Sequence, residues 1–162
     1  MKKHTLLAII AATLLAGCSC LFPGHERAPD STKPRVFVVN GKQVVVSPEP
    51  LTFTPSQGKV EITWRLPKEA SYTFAENGIV IDGRLVPQSP GEIESDKKRL
   101  GKDALIYVLE KQDEIINCRR AENDPKQFSC TNLNSRRAAY KYTIRVLDGA
   151  KPLVPLDPWI IN

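Results

Sequence analysis

The feature that most narrows the fold is the pair of β-branched runs around one Asn-Gly. Val36-Phe37-Val38-Val39 and Gln43-Val44-Val45-Val46 flank Asn40-Gly41-Lys42, a strong short-range signal for a β-hairpin. Pro48 and Pro50 end the second run. From Val60, the residues Val60, Ile62, Trp64 and Leu66 alternate with Glu61, Thr63 and Arg65. That period-two pattern belongs to a strand with one buried and one wet face, so Trp64 is expected in the core. Tyr72-Thr73-Phe74, Ile79-Val80-Ile81 and Tyr140-Lys141-Tyr142-Thr143-Ile144-Arg145-Val146 read as further strands, with turns at Glu76-Asn77-Gly78, Asp82-Gly83 and Asp148-Gly149. Short strands with regular turn signals predict an all-β sandwich.

Two segments are less uniform. Over Asp103 to Asn117, Leu105, Val108, Leu109, Gln112, Ile115 and Ile116 fit a helical face, while Ala104 to Leu109 also suit a buried strand. With strand-like neighbours on both sides, a strand followed by a turn is expected. The C-terminal Leu153-Val154-Pro155-Leu156-Asp157-Pro158-Trp159-Ile160-Ile161-Asn162 is apolar but broken by two prolines. Proline cannot donate to a ladder, which places this segment at a sheet edge. It is expected to dock on its own domain as the final edge strand, leaving the exposed-patch alternative for Trp159, Ile160 and Ile161 behind.

A core Trp in an early strand (Thr63-Trp64-Arg65-Leu66) and a late strand opening on Tyr (Ala139-Tyr140-Lys141-Tyr142) resemble an immunoglobulin-like antiparallel sandwich. The resemblance puts Tyr140 in the place of the tyrosine corner. The chain departs from true immunoglobulin domains in its cysteines, since Cys118 and Cys130 lie outside those two strands. Together with Asn77-Gly78-Ile79, Phe128-Ser129-Cys130 and Asp157-Pro158-Trp159-Ile160-Ile161-Asn162, these runs are also similar to small exported β proteins of Gram-negative bacteria with no assigned activity.

The N-terminus supplies an address. Lys2 and Lys3 precede the apolar segment Leu6 to Leu15 and the small residues Ala16 and Gly17, the layout of a signal peptide. The run is shorter than the roughly 20 residues that a spanning helix needs. Leu15-Ala16-Gly17-Cys18 resembles the lipobox of bacterial lipoproteins, which implies acylation of Cys18 and cleavage before it. Several acyl chains, at about 0.8 kcal/mol per buried methylene, would hold almost permanently. Ser19 in place of Asp after the modified cysteine implies, by the same resemblance, sorting to the outer membrane and its periplasmic face. Cys20 is the poorer acceptor, and its role stays open.

The expected division is a signal peptide over 1–17, a lipidated N-terminus and Pro- and charge-rich linker over 18–35, and one β-sandwich domain over 36–162. The formal charge of +5 falls to +3 when Lys2 and Lys3 leave. Basic clusters occur at Lys97-Lys98-Arg99 with Lys102, at Arg119-Arg120 and at Arg136-Arg137. They could serve an anionic lipid, an acidic glycan or an acidic protein, but Asp96, Asp103, Glu122 and Asp124 lie close by, and the first reading is solvated loop residues. No nucleic-acid motif accompanies the charge.

In an exported chain, Cys118 and Cys130 are expected to form a disulfide, worth about 3 kcal/mol by the chain-entropy argument. Zinc would need more ligands than two cysteines supply, and the spacing is far from a redox CxxC. The two histidines are His4, in the signal peptide, and His25, in the linker. The domain therefore has no imidazole for a Ser-His-Asp or Cys-His arrangement or for a histidine-ligated metal. Carboxylate-only glycoside hydrolysis survives that argument, with Glu92, Glu94, Glu110 and Glu114 as candidates. The sequence thus points first to a non-catalytic, cofactor-free, lipid-anchored sandwich that binds an envelope protein or glycan or serves as a structural component. The alternative is a carboxylate-dependent hydrolase of envelope polysaccharide.

Overall fold

The computed structural model describes residues 30–100 and 107–162, apart from the side chains of Asp96, Arg99 and Leu100. The expected signal peptide over 1–17, Cys18, Cys20, His25 and Lys102 lie outside the described residues. The strands are β1 (Arg35–Val39), β2 (Gln43–Ser47), β3 (Leu51–Thr52), β4 (Val60–Arg65), β5 (Tyr72–Pro87), β6 (Tyr107–Glu110), β7 (Ile115–Ala121), β8 (Asp124–Asn132), β9 (Ala139–Asp148), β10 (Lys151–Pro152) and β11 (Trp159–Ile161). Among the described residues one α-helix, α1 (Pro90–Leu100), lies between β5 and β6, and a single 3-10 turn (Pro55–Gln57) lies between β3 and β4. The strands form a five-stranded sheet ordered β2-β1-β4-β8-β7 and a six-stranded sheet ordered β3-β11-β9-β5-β6, with β10 also on β9. The chain is an all-β sandwich.

The expected hairpin joins β1 to β2, with Val36 opposite Val46 and Val38 opposite Val44. Asn40 (φ 51°) and Gly41 (φ 67°) both take the left-handed conformation in the three-residue connection Asn40-Gly41-Lys42, which Lys42 N closes by donating to Val39 O at 3.2 Å. After β2 the chain leaves for the other sheet at β3 before returning to β4. For that reason β1 and β4 run parallel, as do β11 and β3, where a wholly antiparallel sandwich was expected. Residues 31–34, read from sequence as the end of a linker, already lie along β4. Thr63 N donates to Thr32 O (2.8 Å) and Arg65 N to Pro34 O (3.1 Å).

The two sheets meet through alternate residues. From β4 and β8, Ile62, Trp64, Phe128 and Cys130 point inward against Tyr140, Tyr142, Ile144 and Val146 of β9. Trp64 is fully buried, with its ring 5.6 Å from that of Tyr142 and Nε1 donating to the Tyr142 hydroxyl at 3.5 Å. Phe74 and Phe128 meet edge to face across the same interface, 6.0 Å apart.

The Gly signals at 78 and 83 act differently from the expected turns. Tyr72 to Pro87 is one strand, and its pairing with β9 shifts between Phe74 and Ile79 and again between Ile81 and Gly83. These are bulges, where glycine relieves crowding. A Cβ on Gly78 would lie 2.8 Å from Phe74 Cβ, and one on Gly83 would lie 2.7 Å from the Glu110 carbonyl oxygen. Of the segment 103–117, residues 103–106 lie outside the described residues, and 107–117 form β6, largely exposed, then a turn and the start of β7. Helix α1 was not expected. Ser89 and Glu92 form a capping box around Pro90, with Ser89 N donating to Glu92 Oε2 at 2.9 Å and Glu92 N to Ser89 Oγ at 3.4 Å.

The C-terminal segment docks along β9 on its own domain, as expected, but β11 is not the edge: β3 pairs on its other side, with Leu51 opposite Ile160 and Thr52 opposite Ile161. Leu153 N donates to Val146 O, Ile144 N to Leu156 O and Tyr142 N to Pro158 O, and Ile160 is fully buried opposite Tyr140. The Asn162 and Asn132 amides bond each other reciprocally at 2.8 and 3.1 Å, tying this segment to the other sheet.

Candidate functional site

A pocket of about 400 Å³ opens at the end of the sandwich where β5 gives out, β7 and β9 begin and the β8–β9 loop crosses. Arg84 comes from β5, Lys111 to Glu114 from the turn before β7, Arg136 from the β8–β9 loop, and Tyr140 from the start of β9. The turn is shaped by Gln112, whose Oε1 accepts from Glu114 N (2.9 Å) and Ile115 N (2.8 Å) while Nε2 donates to Ile115 O (2.9 Å). This clasp turns Glu114 inward.

Glu114 is only 2 % exposed. Burial alone would raise its carboxyl pKa, but the Ser135 hydroxyl (2.5 Å) and amide (2.9 Å) and the Arg136 guanidinium (3.0 Å) outweigh it and hold the group below the usual carboxylate range. Arg136 reaches Asp113 as well, at 3.1 Å. Arg84 pairs with Glu110 at 2.9 Å on the other rim. The lining therefore combines the cations Arg84, Lys111 and Arg136 with the carboxylates Asp113 and Glu114.

At the floor of this ring is Tyr140. Its side chain is fully buried, and its hydroxyl makes no hydrogen bond among the described residues. Burial pushes the phenol's pKa up, and the Glu114 charge pushes it further in the same direction. A tyrosine corner would bond this hydroxyl back to the chain. Here no such bond forms among the described residues, and the hydroxyl lies without accessible surface behind the other pocket residues.

The other sequence candidates sit elsewhere. Cys118 and Cys130 form the expected disulfide, joining β7 to β8 with Cα atoms 4.1 Å apart, next to the pairing shift between Ile116 and Arg119. Glu92 caps α1 and Glu94 pairs with Lys98 at 3.9 Å on the same helix. Of the four carboxylate candidates, only Glu114 lines the pocket. The basic clusters fall on three different elements and are partly taken up locally. Arg120 donates to the Phe74 carbonyl at the β5 bulge (3.1 Å), Arg136 serves Glu114 and Asp113, and Lys97 lies exposed on α1. Among the described residues, no three His, Cys, Asp or Glu side chains form a metal-binding group, and no helix is long and apolar enough to cross a membrane.

Sequence reasoning missed Arg84, Lys111 and Asp113 as neighbours of Tyr140, because they come from separate elements. The usable signal was Tyr140 itself, a buried phenol whose partner the sequence does not name. The chain matches no protein-family model, and comparison with curated proteins and with solved structures found no match.

Proposed function

We propose that this protein is a bacterial lipoprotein, acylated at Cys18 and held at the periplasmic face of the outer membrane, whose sandwich binds a hydroxyl-rich envelope glycan without turning it over. The observation that carries the binding reading is the Tyr140 hydroxyl, buried and unpartnered at the base of a pocket. A buried donor without a partner costs free energy in the unliganded protein, and a ligand oxygen that displaced the side chains covering it would relieve that cost. Sugar hydroxyls both donate and accept, which suits a lining that combines Asp113 and Glu114 with Arg84, Lys111 and Arg136. A simple anion would meet two carboxylates in the same ring. The non-catalytic reading is supported by Glu114, whose oxygens are occupied by Ser135 and Arg136 and whose lowered pKa suits a fixed acceptor better than a proton donor.

Titration calorimetry with soluble peptidoglycan fragments and lipopolysaccharide-derived oligosaccharides tests the pocket. One class should bind, and Tyr140→Phe and Lys111→Ala should each weaken it about tenfold, the worth of one or two hydrogen bonds. Equal binding by the wild type and both variants refutes the assignment, and hydrolysis of a fragment refutes the non-catalytic reading. Intact-mass analysis of membrane-extracted protein tests the anchor, with a chain beginning at acylated Cys18 as the expected result.

A further inference from the structure

Five cations scattered through the sequence meet at one corner of the five-stranded sheet. Arg35 opens β1 and Arg65 ends β4, and the two are direct partners in the parallel pair. Their neighbours Val36 and Trp64 point into the core, so both arginines project outward, where they are exposed. Lys33 and Lys68 line the same concavity of about 500 Å³, with Glu69 as its one carboxylate. Lys126 adds a fifth cation. Its ammonium donates to the Lys68 carbonyl, and its own carbonyl accepts from Leu66 N at 2.9 Å.

None of these five forms an ion pair with a carboxylate among the described residues. The arginines and lysines elsewhere that surround the glycan pocket are mostly paired; these are not. Like charges gathered this way repel one another, and an external anionic surface offsets that repulsion.

We propose that this corner docks on anionic phospholipid headgroups beside the tether, an inference that rests on the reading of Cys18 as the lipid-bearing residue. Lys33 closes the turn that begins at Asp30, its amide donating to the Asp30 carbonyl at 2.9 Å. Only residues 19–29 separate that turn from Cys18, a stretch that spans at most about 40 Å when fully extended. The tether therefore keeps the corner at high effective concentration over the headgroups, where modest attraction suffices. Phosphodiesters recruit lysine and arginine at about a fivefold gain in affinity per cation near the surface. The corner lies at the Lys126–Gln127 end of β8, while the Tyr140 pocket lies beyond Asn132 at the other end. At about 3.3 Å per residue the two are separated by about 20 Å along the strand. Docking at the corner thus turns the pocket away from the bilayer.

The test is cosedimentation of the unacylated mature chain, carrying Cys18→Ser, with vesicles of phosphatidylglycerol mixed with phosphatidylcholine, against phosphatidylcholine alone. Binding should require phosphatidylglycerol and should weaken as salt rises. Lys33→Ala and Lys68→Ala, both at exposed positions, should each reduce it about fivefold, while Lys97→Ala on α1 should leave it unchanged. Equal binding to neutral vesicles, indifference to salt, or a loss as large from Lys97→Ala overturns the proposal. So does preferential binding of a soluble acidic polysaccharide, which would make the corner a glycan site. Because the chain used carries no lipid, failure here is distinct from failure of the acylation reading, which the intact mass decides.

Discussion

Replacing Tyr140 by Phe should stabilise the protein, while the same change at Tyr142, two residues along the same inward face of β9, should destabilise it. The contrast follows from the two hydroxyls. Tyr142 accepts from Trp64 Nε1 at 3.5 Å, so Tyr142→Phe leaves a buried indole N–H without its acceptor, at a cost of about 1 kcal/mol for so long a bond. Tyr140 has no partner to lose among the described residues. An unsatisfied buried polar group costs about 1–3 kcal/mol, and because this one borders a pocket the lower end applies. Tyr140→Phe should then gain about 1 kcal/mol, or about 4 °C in Tm for a domain of this size. The two variants should differ by about 2 kcal/mol in urea unfolding followed by the fluorescence of Trp64, which packs on Tyr142. A loss of 1 kcal/mol or more in Tyr140→Phe would mean that the hydroxyl is already bonded in the free protein. The proposed glycan site would then lose its central donor.

Glu114→Ala should cost about 3 kcal/mol, since it removes the acceptor of the Ser135 hydroxyl and amide and of the Arg136 guanidinium at a buried position. Because the folded carboxyl titrates below its ordinary value, its contribution is complete above the unfolded value of about 4.3 and is lost as pH falls through the folded one. Wild-type stability should fall on acidification through that window more steeply than that of Glu114→Ala, and parallel pH profiles would contradict the assignment. Replacing Cys118 and Cys130 together by Ala should lower stability by about 2–3 kcal/mol, read from the urea midpoint of the non-reduced protein. Gly78→Ala should cost about 1–3 kcal/mol, because the new Cβ would sit 2.8 Å from Phe74 Cβ and 3.2 Å from the Phe128 ring. Wild-type stability in that variant would show that the β5 bulge opens freely.

What was legible in the sequence were the features in which neighbours along the chain decide the outcome. Alternation through Val60 to Leu66 buried Trp64, Asn40-Gly41 made the hairpin, and two cysteines bridged adjacent strands, whereas the prolines misled about the last strand, which β3 covers on its outer side. Helix α1 was equally local, announced by Ser89-Pro90 with Glu92, yet its polar composition gave no apolar face to read. The glycines at 78 and 83 were visible but ambiguous, because a turn and a bulge both need a residue without a side chain. Only the partner strand β9, which runs past both, makes them bulges.

Tertiary structure decided everything that depends on partners distant in the chain. The crossing from β2 to β3 and back to β4 sets Arg35 against Arg65 in a parallel pair that no local pattern encodes. The basic corner therefore gathers residues 33 to 126, while the runs that looked basic in the sequence are divided among three elements. The pocket at Tyr140 likewise draws on β5, the β6–β7 turn and the β8–β9 loop. Backbone preference acts over a few residues and is written in them, whereas charge proximity and the satisfaction of a buried hydroxyl are set by distances that exist only after the sheets have packed.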